Sequence, residues 1–539
     1  MQRLADAARS NVTPYDDTGE GNGSGSRECC PISPDSLHPG PGPGEALRTE
    51  HLTAASQPLF DADTAREACG VVGVYHPGQD VARVAFFGIY ALQHRGQESA
   101  GIASADGHSV HNRTSMGLIG QSFAEDDLVD LPGHISIAHT RYSTTGSNRI
   151  VNAQPVLARG PDLELALGHN GNVINAMELR EDLEEQGFRF DGTSDTEIIA
   201  NLLANAPAQD WEGRISYLMR RLKGAYSLTV LTKNELIGIR DPLGVRPLCL
   251  GRLGQGWVLA SESCALDHVG ADYIRDIEPG EAVLIDESGL RTVKSPGSDG
   301  GRASCIFENI YFSRPDSVLD GRLVYSDRMR MGAELAREYP VDADMVIGVP
   351  DSATAAAVGY AQESGIPYGE GLVKNRYVGR TFIEPTQYFR DLGVRRKLNP
   401  LPEIIRGKRL VVVDDSIVRG TTTPHVVKLL RRGGATEIHL RITAPPIVST
   451  CHFGVDMATK KELIAANMSV EEIQLLVGAD SLGYLSVEGL SRAVEDEGSS
   501  YCMGCFTSQY PIPVQLEMDK LVMEAQEVVP ARSRQGGAD

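Results

Sequence analysis

Several things are missing from these 539 residues, and each absence removes a class of protein. No stretch approaches the ~20 uninterrupted apolar residues of a membrane span. The N-terminus has no basic segment followed by an apolar one, so it does not read as a secretory signal. Basic charge is scarce: 51 Lys and Arg stand against 72 Asp and Glu, a formal net charge of -21. A nucleic-acid partner held by bulk electrostatics needs the opposite sign; small phosphorylated ligands, held by backbone nests and helix ends, remain possible. No internal repeat is visible. Methionine is absent between Met1 and Met116, so a shorter product would need a non-AUG start or a processing event. What is present, 41% hydrophobic and 23% charged residues, suits a globular domain protein. The length exceeds one core, so two or three domains are expected. A cytoplasmic enzyme is the simplest reading.

Residues 1–68 read as a disordered leader, because GEGNGSGS and HPGPGPGEA cannot bury a core. From Cys69 the texture changes. CGVVGVYH reads as a buried strand and DVARVAFFGIYALQHRG as a helix with one apolar face. Short apolar runs follow (ISIAHTRYS, LELALGHNGNVINA, YSLTVLT, ELIGIRD, GWVLASES), with helical patterns in MELREDLEEQG and SDTEIIANLLANA. Many strands with few helices predict stacked sheets flanked by helices over residues 69–290. From about residue 321 strand and helix alternate, as in RLVVVDD followed by TTPHVVKLLRRGG and EIHLRIT. Val426, Leu429 and Leu430 share one face of that helix, and Gly433–Gly434 stops it. Alternation with short links predicts a parallel, doubly wound sheet within 291–450. Residues 451–539 form a mixed C-terminal segment with a polar end.

The most specific local signal is RLVVVDDSIVRGTTT, residues 409–423. A buried strand ends in Asp414 and Asp415, and a short loop then enters a helix. In open parallel sheets ligands sit at the carboxyl ends of strands. The loop amides and the helix N-terminus favour a phosphate; Gly420 permits close backbone approach, and Thr421 and Thr422 supply hydroxyls. Paired carboxylates can address ribose hydroxyls and magnesium, which prefers oxygen ligands. The plain alternative is an acidic turn that caps a helix. The whole run resembles the phosphoribosylpyrophosphate (PRPP) motif of type I phosphoribosyltransferases. That resemblance implies PRPP binding by Asp414, Asp415, Ser416, Arg419, Gly420, Thr421 and Thr422. VIGVPDSAT (346–354) resembles the same family's pyrophosphate loop, implying a magnesium site of Ser352, Asp414 and Asp415; alone it reads equally well as a Ser/Asp helix cap. KNRYVGRTFIEPTQ (374–387), with Lys374, Arg376 and Arg380, resembles the flexible loop that closes over PRPP. Its plain reading is a solvated basic loop.

A second set of signals starts at Cys69. HTRYSTTG contains Arg141, LGHNGNVIN contains Asn170 and Gly171, and GTSDTEII contains Asp195. Each alone is weak: Asp195 could cap a helix, and Arg141 could be a surface ion pair. Together with CGVVGVY they resemble the type II glutamine amidotransferases, which are N-terminal-nucleophile hydrolases with an αββα sandwich. The resemblance implies that the leader is removed and that the α-amino group of Cys69 is the base for its own thiol. It implies an oxyanion hole from the Asn170 side chain and the Gly171 N–H. Arg141 would hold the glutamine carboxylate, a role suited to a bidentate guanidinium, and Asp195 the α-amino group. Residues 1–68 are longer than that family's short propeptides.

The sequence has nine cysteines, and in a large cytosolic chain metal ligation or catalysis is weighed before disulfides. YCMGCF gives Cys502 and Cys505 at Cys-x-x-Cys spacing, a redox pair or half of a zinc site when taken alone. IFENIYFSRPDS and CHFGVDMATKKELIAANMSVEEI resemble the iron–sulfur subgroup of the glutamine PRPP amidotransferases. That implies a [4Fe–4S] cluster on Cys305, Cys451, Cys502 and Cys505, with zinc the second choice. The family resemblance runs from Cys69 to about Pro513. It implies synthesis of 5-phosphoribosylamine from PRPP, glutamine and water, inhibition by purine nucleotides, and a homotetramer. Two rivals share parts of the pattern. A glucosamine-phosphate synthase predicts sugar-isomerase-like domains in place of DDSIVRGTT, and a PRPP-sensing repressor predicts a basic head.

Overall fold

The computed structural model describes residues 69–143, 146–294, 301–375, 398–455, 457, 459–496, 500–514 and 523. The leader expected over 1–68, and Arg376 and Arg380, lie outside the described residues.

The first half begins with β1 (Gly70–Tyr75), buried at all six positions. Successive side chains of a strand point to opposite faces, and β1 uses both. Val72 and Val74 pack with Val81, Ala85 and Ile89 of α1 (Val81–Ala91), while Val71 and Tyr75 join a core between two sheets. Helix α1 starts where the Asp80 carboxylate accepts the Arg83 N–H at 3.2 Å. β1 is the middle of a seven-stranded antiparallel sheet that also holds β2 (Ser99–Ala105), β3 (Val110–Met116) and β4 (Ile135–Arg141). A six-stranded antiparallel sheet faces it, containing β5 (Val156–Arg159), β6 (Glu164–Val173), β7 (Gly224–Leu231) and β8 (Leu236–Arg240). Leu165, Leu167, Leu228 and Val230 of that sheet pack under α2 (Ala176–Glu185), α3 (Asp195–Ala204) and α4 (Trp211–Arg221). The result is the helix–sheet–sheet–helix sandwich expected. Its last strand reaches Lys294, four residues past the expected end at 290.

The second half contains a four-stranded, all-parallel sheet in the order Met345–Gly348, Arg409–Asp414, Glu437–Ile442, Ser481–Tyr484. Val411 and Val413 face one core, with α5 (Val324–Glu338) and α6 (Thr354–Ser364); Leu410 and Val412 face another, with α7 (Thr423–Gly433). Burial on both faces is why RLVVVD is continuously apolar rather than alternating. Val426, Leu429 and Leu430 of α7 are buried, and the helix ends at Gly434 with φ +102°, a left-handed cap that glycine adopts without strain. The fourth strand lies in the stretch set apart at 451–539. No helix among the described residues is long and apolar enough to cross a membrane.

The halves share a core. Ala225 and Val245 of the sandwich pack in one cluster with Phe307, Phe453 and Phe506 of the second half. A short parallel pair, Ser304–Cys305 beside Tyr501–Cys502, closes the joint.

Candidate active sites

Cys69 stands one residue before β1, and its thiol is buried. The Sγ donates to the Tyr142 carbonyl at 3.2 Å and accepts from the Tyr142 N–H at 3.4 Å. Burial pushes the thiol pKa up; the Tyr142 contact and the Arg141 charge oppose this, while Glu98 and Asp195 add to it. A thiol so placed is a poor nucleophile until a base takes its proton. Arg141 ends β4, is almost fully buried, and sits 3.8 Å from the Glu98 carboxylate.

Asn170 and Gly171 lie on β6, in register with Ser227 and Tyr226 of β7. The Asn170 carboxamide is completely buried, and neither its nitrogen nor its oxygen has a hydrogen-bond partner. Leaving such a group unpaired costs about 1–3 kcal/mol, so both of its polar atoms remain open to a partner. Gly171 has φ +148°, and a Cβ there would stand 2.0 Å from the Ala225 carbonyl oxygen, so only glycine fits. Asp195 is the first residue of α3 rather than its cap, which is Ser194. Its carboxylate accepts the Val173 N–H at 3.0 Å and lies 3.6 Å from His169 Nδ1. Burial alone would raise its pKa, but His169 and the Val173 bond outweigh this and leave it below the usual range. Arg141 and Asp195 lie close enough for their charges to act on the Cys69 thiol, and Asp195 is hydrogen-bonded to Val173 on the strand that carries Asn170 and Gly171.

Sequence reasoning missed the support beneath them. Arg95, completely buried, donates from Nε to the Cys69 carbonyl at 3.1 Å. Its other nitrogens reach Glu262 and Glu308, the latter at 2.7 and 3.0 Å. Arg246, also fully buried, lies 3.2 Å from the same Glu308. Breaking one member of a buried charge set of this kind typically costs about 3–5 kcal/mol.

In the second half, the strand Arg409–Asp414 delivers its two acids to a loop that enters α7. Asp415 is buried; its carboxylate accepts from Ser352 Oγ, and from Ser416 Oγ at 2.7 Å. Burial pushes its pKa up, against the pull of those two hydroxyls and the Arg328 charge. Arg328, on α5, is another residue the sequence did not mark; burial lowers its pKa to about 10 while Asp415 acts to raise it. The Asp414 side chain accepts the Asp415 N–H at 3.0 Å and is partly exposed. Gly420 has φ +70°, and a Cβ there would meet Ile464 at 2.4 Å. Thr421 Oγ1 is buried without a partner. Arg419 and Thr422 lie in the same loop, Thr422 as the cap of α7. Lys374 pairs with Asp351 at 3.1 Å, beside Ser352.

Cys305, Cys451, Cys502 and Cys505 all carry free thiols. Cys305 and Cys502 are register partners across the short parallel pair. Burial raises Cys305 and Cys502 to about 12 and pushes Cys505 well above the usual thiol range, with the neighbouring thiols adding to the shift of each. They are thus close enough to feel one another's charge. Among the described residues, however, no three His, Cys, Asp or Glu side chains are drawn into an ion-binding shell.

Comparison with known proteins finds a domain family in each half of the chain. A glutamine amidotransferase domain family matches residues 139–268, and a phosphoribosyl transferase domain family matches residues 315–447. An amidophosphoribosyltransferase of Synechococcus elongatus is 50% identical over 489 residues, covering 89% of this chain and 99% of that protein. The namesake protein of Archaeoglobus fulgidus is 51% identical over 453 residues, 83% of this chain and 98% of that one. A solved glutamine PRPP amidotransferase from B. subtilis, complexed with ADP and GMP, superposes with TM-score 0.79 at 44% identity. It covers 84% of this chain and 99% of that structure.

Proposed function

The chain belongs to the amidophosphoribosyltransferase family, and on that premise we propose how its residues divide one reaction between two centres. The enzyme uses PRPP, glutamine and water to make 5-phosphoribosylamine, glutamate and pyrophosphate in purine biosynthesis. The unpaired thiols among the described residues suit the cytoplasm.

At the first centre, Cys69 acts once its α-amino group is free. That amine takes the thiol proton, and the sulfur attacks the glutamine amide carbon. The Asn170 side chain and the Gly171 N–H receive the developing oxyanion. Arg141 holds the substrate carboxylate and Asp195 its α-ammonium group, which requires the ionised carboxylate that His169 and Val173 favour. Ammonia leaves, and water releases glutamate from the thioester. The observation that carries this assignment is the buried, unpartnered Asn170 amide.

At the second centre the loop 416–422 receives the 5′-phosphate through its backbone amides, Thr421 and Thr422, at the N-terminus of α7. Ser416, Arg419 and Lys374 take part in holding PRPP. Two carboxylates and a hydroxyl form an oxygen-only donor set that suits a hard cation. Asp414, Asp415 and Ser352 would hold magnesium, which supplies charge stabilisation for departing pyrophosphate. The thiols of Cys305, Cys451, Cys502 and Cys505 are a soft set without disulfides, two of them buried and two partly exposed, suited to a [4Fe–4S] cluster, with zinc the second choice. We also read purine nucleotides as inhibitors, in line with the relative solved with ADP and GMP, and a homotetramer as the assembly.

The test is anaerobic purification followed by product analysis with PRPP and magnesium. Glutamate and pyrophosphate should appear in a 1:1 ratio, and ammonium should replace glutamine as nitrogen donor. A PRPP-sensing regulator on the same fold would bind PRPP and release no pyrophosphate. The preparation should contain iron and acid-labile sulfide; stoichiometric zinc without sulfide defeats the cluster.

A further inference from the structure

We propose that His452–Phe453–Gly454, a tripeptide of the phosphoribosyl half, is a positioning element for the glutaminase centre. The inference rests on reading Asn170 and Gly171 as the oxyanion hole, and extends it to a segment whose His452 lies 280 positions from Asn172 in sequence.

Three contacts carry it, one from each residue. Gly454 has φ +97°, and a Cβ there would stand 2.8 Å from the Gly171 carbonyl carbon, 2.9 Å from its oxygen and 3.0 Å from its Cα. Those are backbone atoms, which cannot swing aside as a flexible side chain does. The Gly454 backbone is thus seated directly on the oxyanion-hole glycine. The His452 carbonyl accepts from Asn172 Nδ2 at 3.0 Å in a buried bond, one residue further along the same strand. The Phe453 carbonyl accepts from Arg246 Nε at 3.0 Å. Arg246 binds Glu308, Glu308 binds Arg95, and Arg95 donates to the Cys69 carbonyl. Arg95 and Arg246 are fully buried and Glu308 nearly so, so solvent does not weaken this chain of charge-assisted bonds.

One tripeptide therefore touches the oxyanion strand directly and reaches the nucleophile's backbone through three charged residues. Its own turn is fixed at the start, where the Phe453 N–H donates to Cys451 Sγ at 3.3 Å. An oxyanion donor must be placed to within a fraction of an ångström, because a misplacement of about 1 Å can cost about 100-fold in rate. The second half thus supplies part of the first half's catalytic geometry.

The experiment uses the enzyme with Cys69 as its first residue and three variants of it. Gly454→Ala pushes into Gly171; its glutamine-dependent kcat should fall by about 100-fold. Its KM for glutamine should move by less than about 3-fold, and ammonia-dependent synthesis should stay within about 2-fold, since removing a transition-state interaction lowers kcat rather than raising KM. Affinity for glutamate γ-semialdehyde, which forms an oxyanion adduct with the thiol, should fall in parallel with kcat, while affinity for glutamate stays constant. A merely structural role would weaken both ligands together. Asn172→Ala removes the His452 bond and should lower the same kcat by about 5-fold, the worth of one hydrogen bond. Asn170→Ala tests the underlying reading: wild-type turnover there would sink the oxyanion hole itself. If Asn170→Ala is crippled while Gly454→Ala and Asn172→Ala keep wild-type kcat, the positioning inference alone is overturned. If Gly454→Ala also loses ammonia-dependent activity, it has misfolded and Asn172→Ala decides, an unchanged kcat counting against the inference.

Discussion

The two centres are built in opposite ways. Around Cys69 every assigned side chain is buried: Arg141, Asn170 and Asp195 are at most 4% exposed, and they stand on strands or a helix end. At the phosphoribosyl centre, Asp414 is partly exposed, and the Lys374 and Asp351 side chains are about half exposed at 45% and 58%. The difference follows from the substrates. Glutamine offers a neutral amide, and attacking it requires a nucleophile, a base and an oxyanion site already aligned in a dry pocket. A sugar diphosphate carries its own charge, so loop amides, hydroxyls and a cation can gather it from a more open face. Fixed geometry serves the first centre, and charge capture serves the second.

Variants can sharpen this contrast. The largest expected effect is at the joint. Glu308→Ala leaves Arg95 and Arg246 underpaired in the interior and should lower stability by about 3–5 kcal/mol, read as the urea midpoint. Glutamine turnover should suffer more than ammonia turnover, because Arg95 then loosens from the Cys69 carbonyl. Next is Asp414→Asn, which should reduce glutamine- and ammonia-dependent synthesis by the same factor, about 100-fold, if magnesium binding is lost. A loss confined to glutamine would place Asp414 in the wrong centre. Gly171→Ala forces a side chain against the Ala225 carbonyl and should cost glutamine turnover about 10- to 100-fold, with ammonia turnover kept. Thr421→Val is the smallest change: loss of one hydroxyl to phosphate should raise KM for PRPP about 5-fold and leave the glutaminase untouched.

Where chemistry and backbone coincide within a short run, the sequence was readable. RLVVVDDSIVRGTTT states its strand, turn and helix start in fifteen residues, and the structure places each where the pattern put it. Cys69, Arg141, Asn170 and Asp195 were legible only as a set, because each is scattered and ordinary alone. The buried charges were not legible. Arg95, Glu262 and Glu308 look like surface residues by type, and their partners lie 167 and 213 positions apart. No local period marks pairing over that range. The strand Ser481–Tyr484 was missed because four residues carry too little pattern to separate strand from loop. Gly454 was hidden for a related reason: a glycine in a mixed loop gives no sign of what its missing side chain makes room for.

The most direct test of the two-centre account is Cys69→Ala, assayed with PRPP and magnesium, first with glutamine and then with ammonium as nitrogen source. The account predicts that glutamine-dependent synthesis disappears while ammonium-dependent release of pyrophosphate continues at close to the wild-type rate. Equal loss of both, or retention of both, would contradict it.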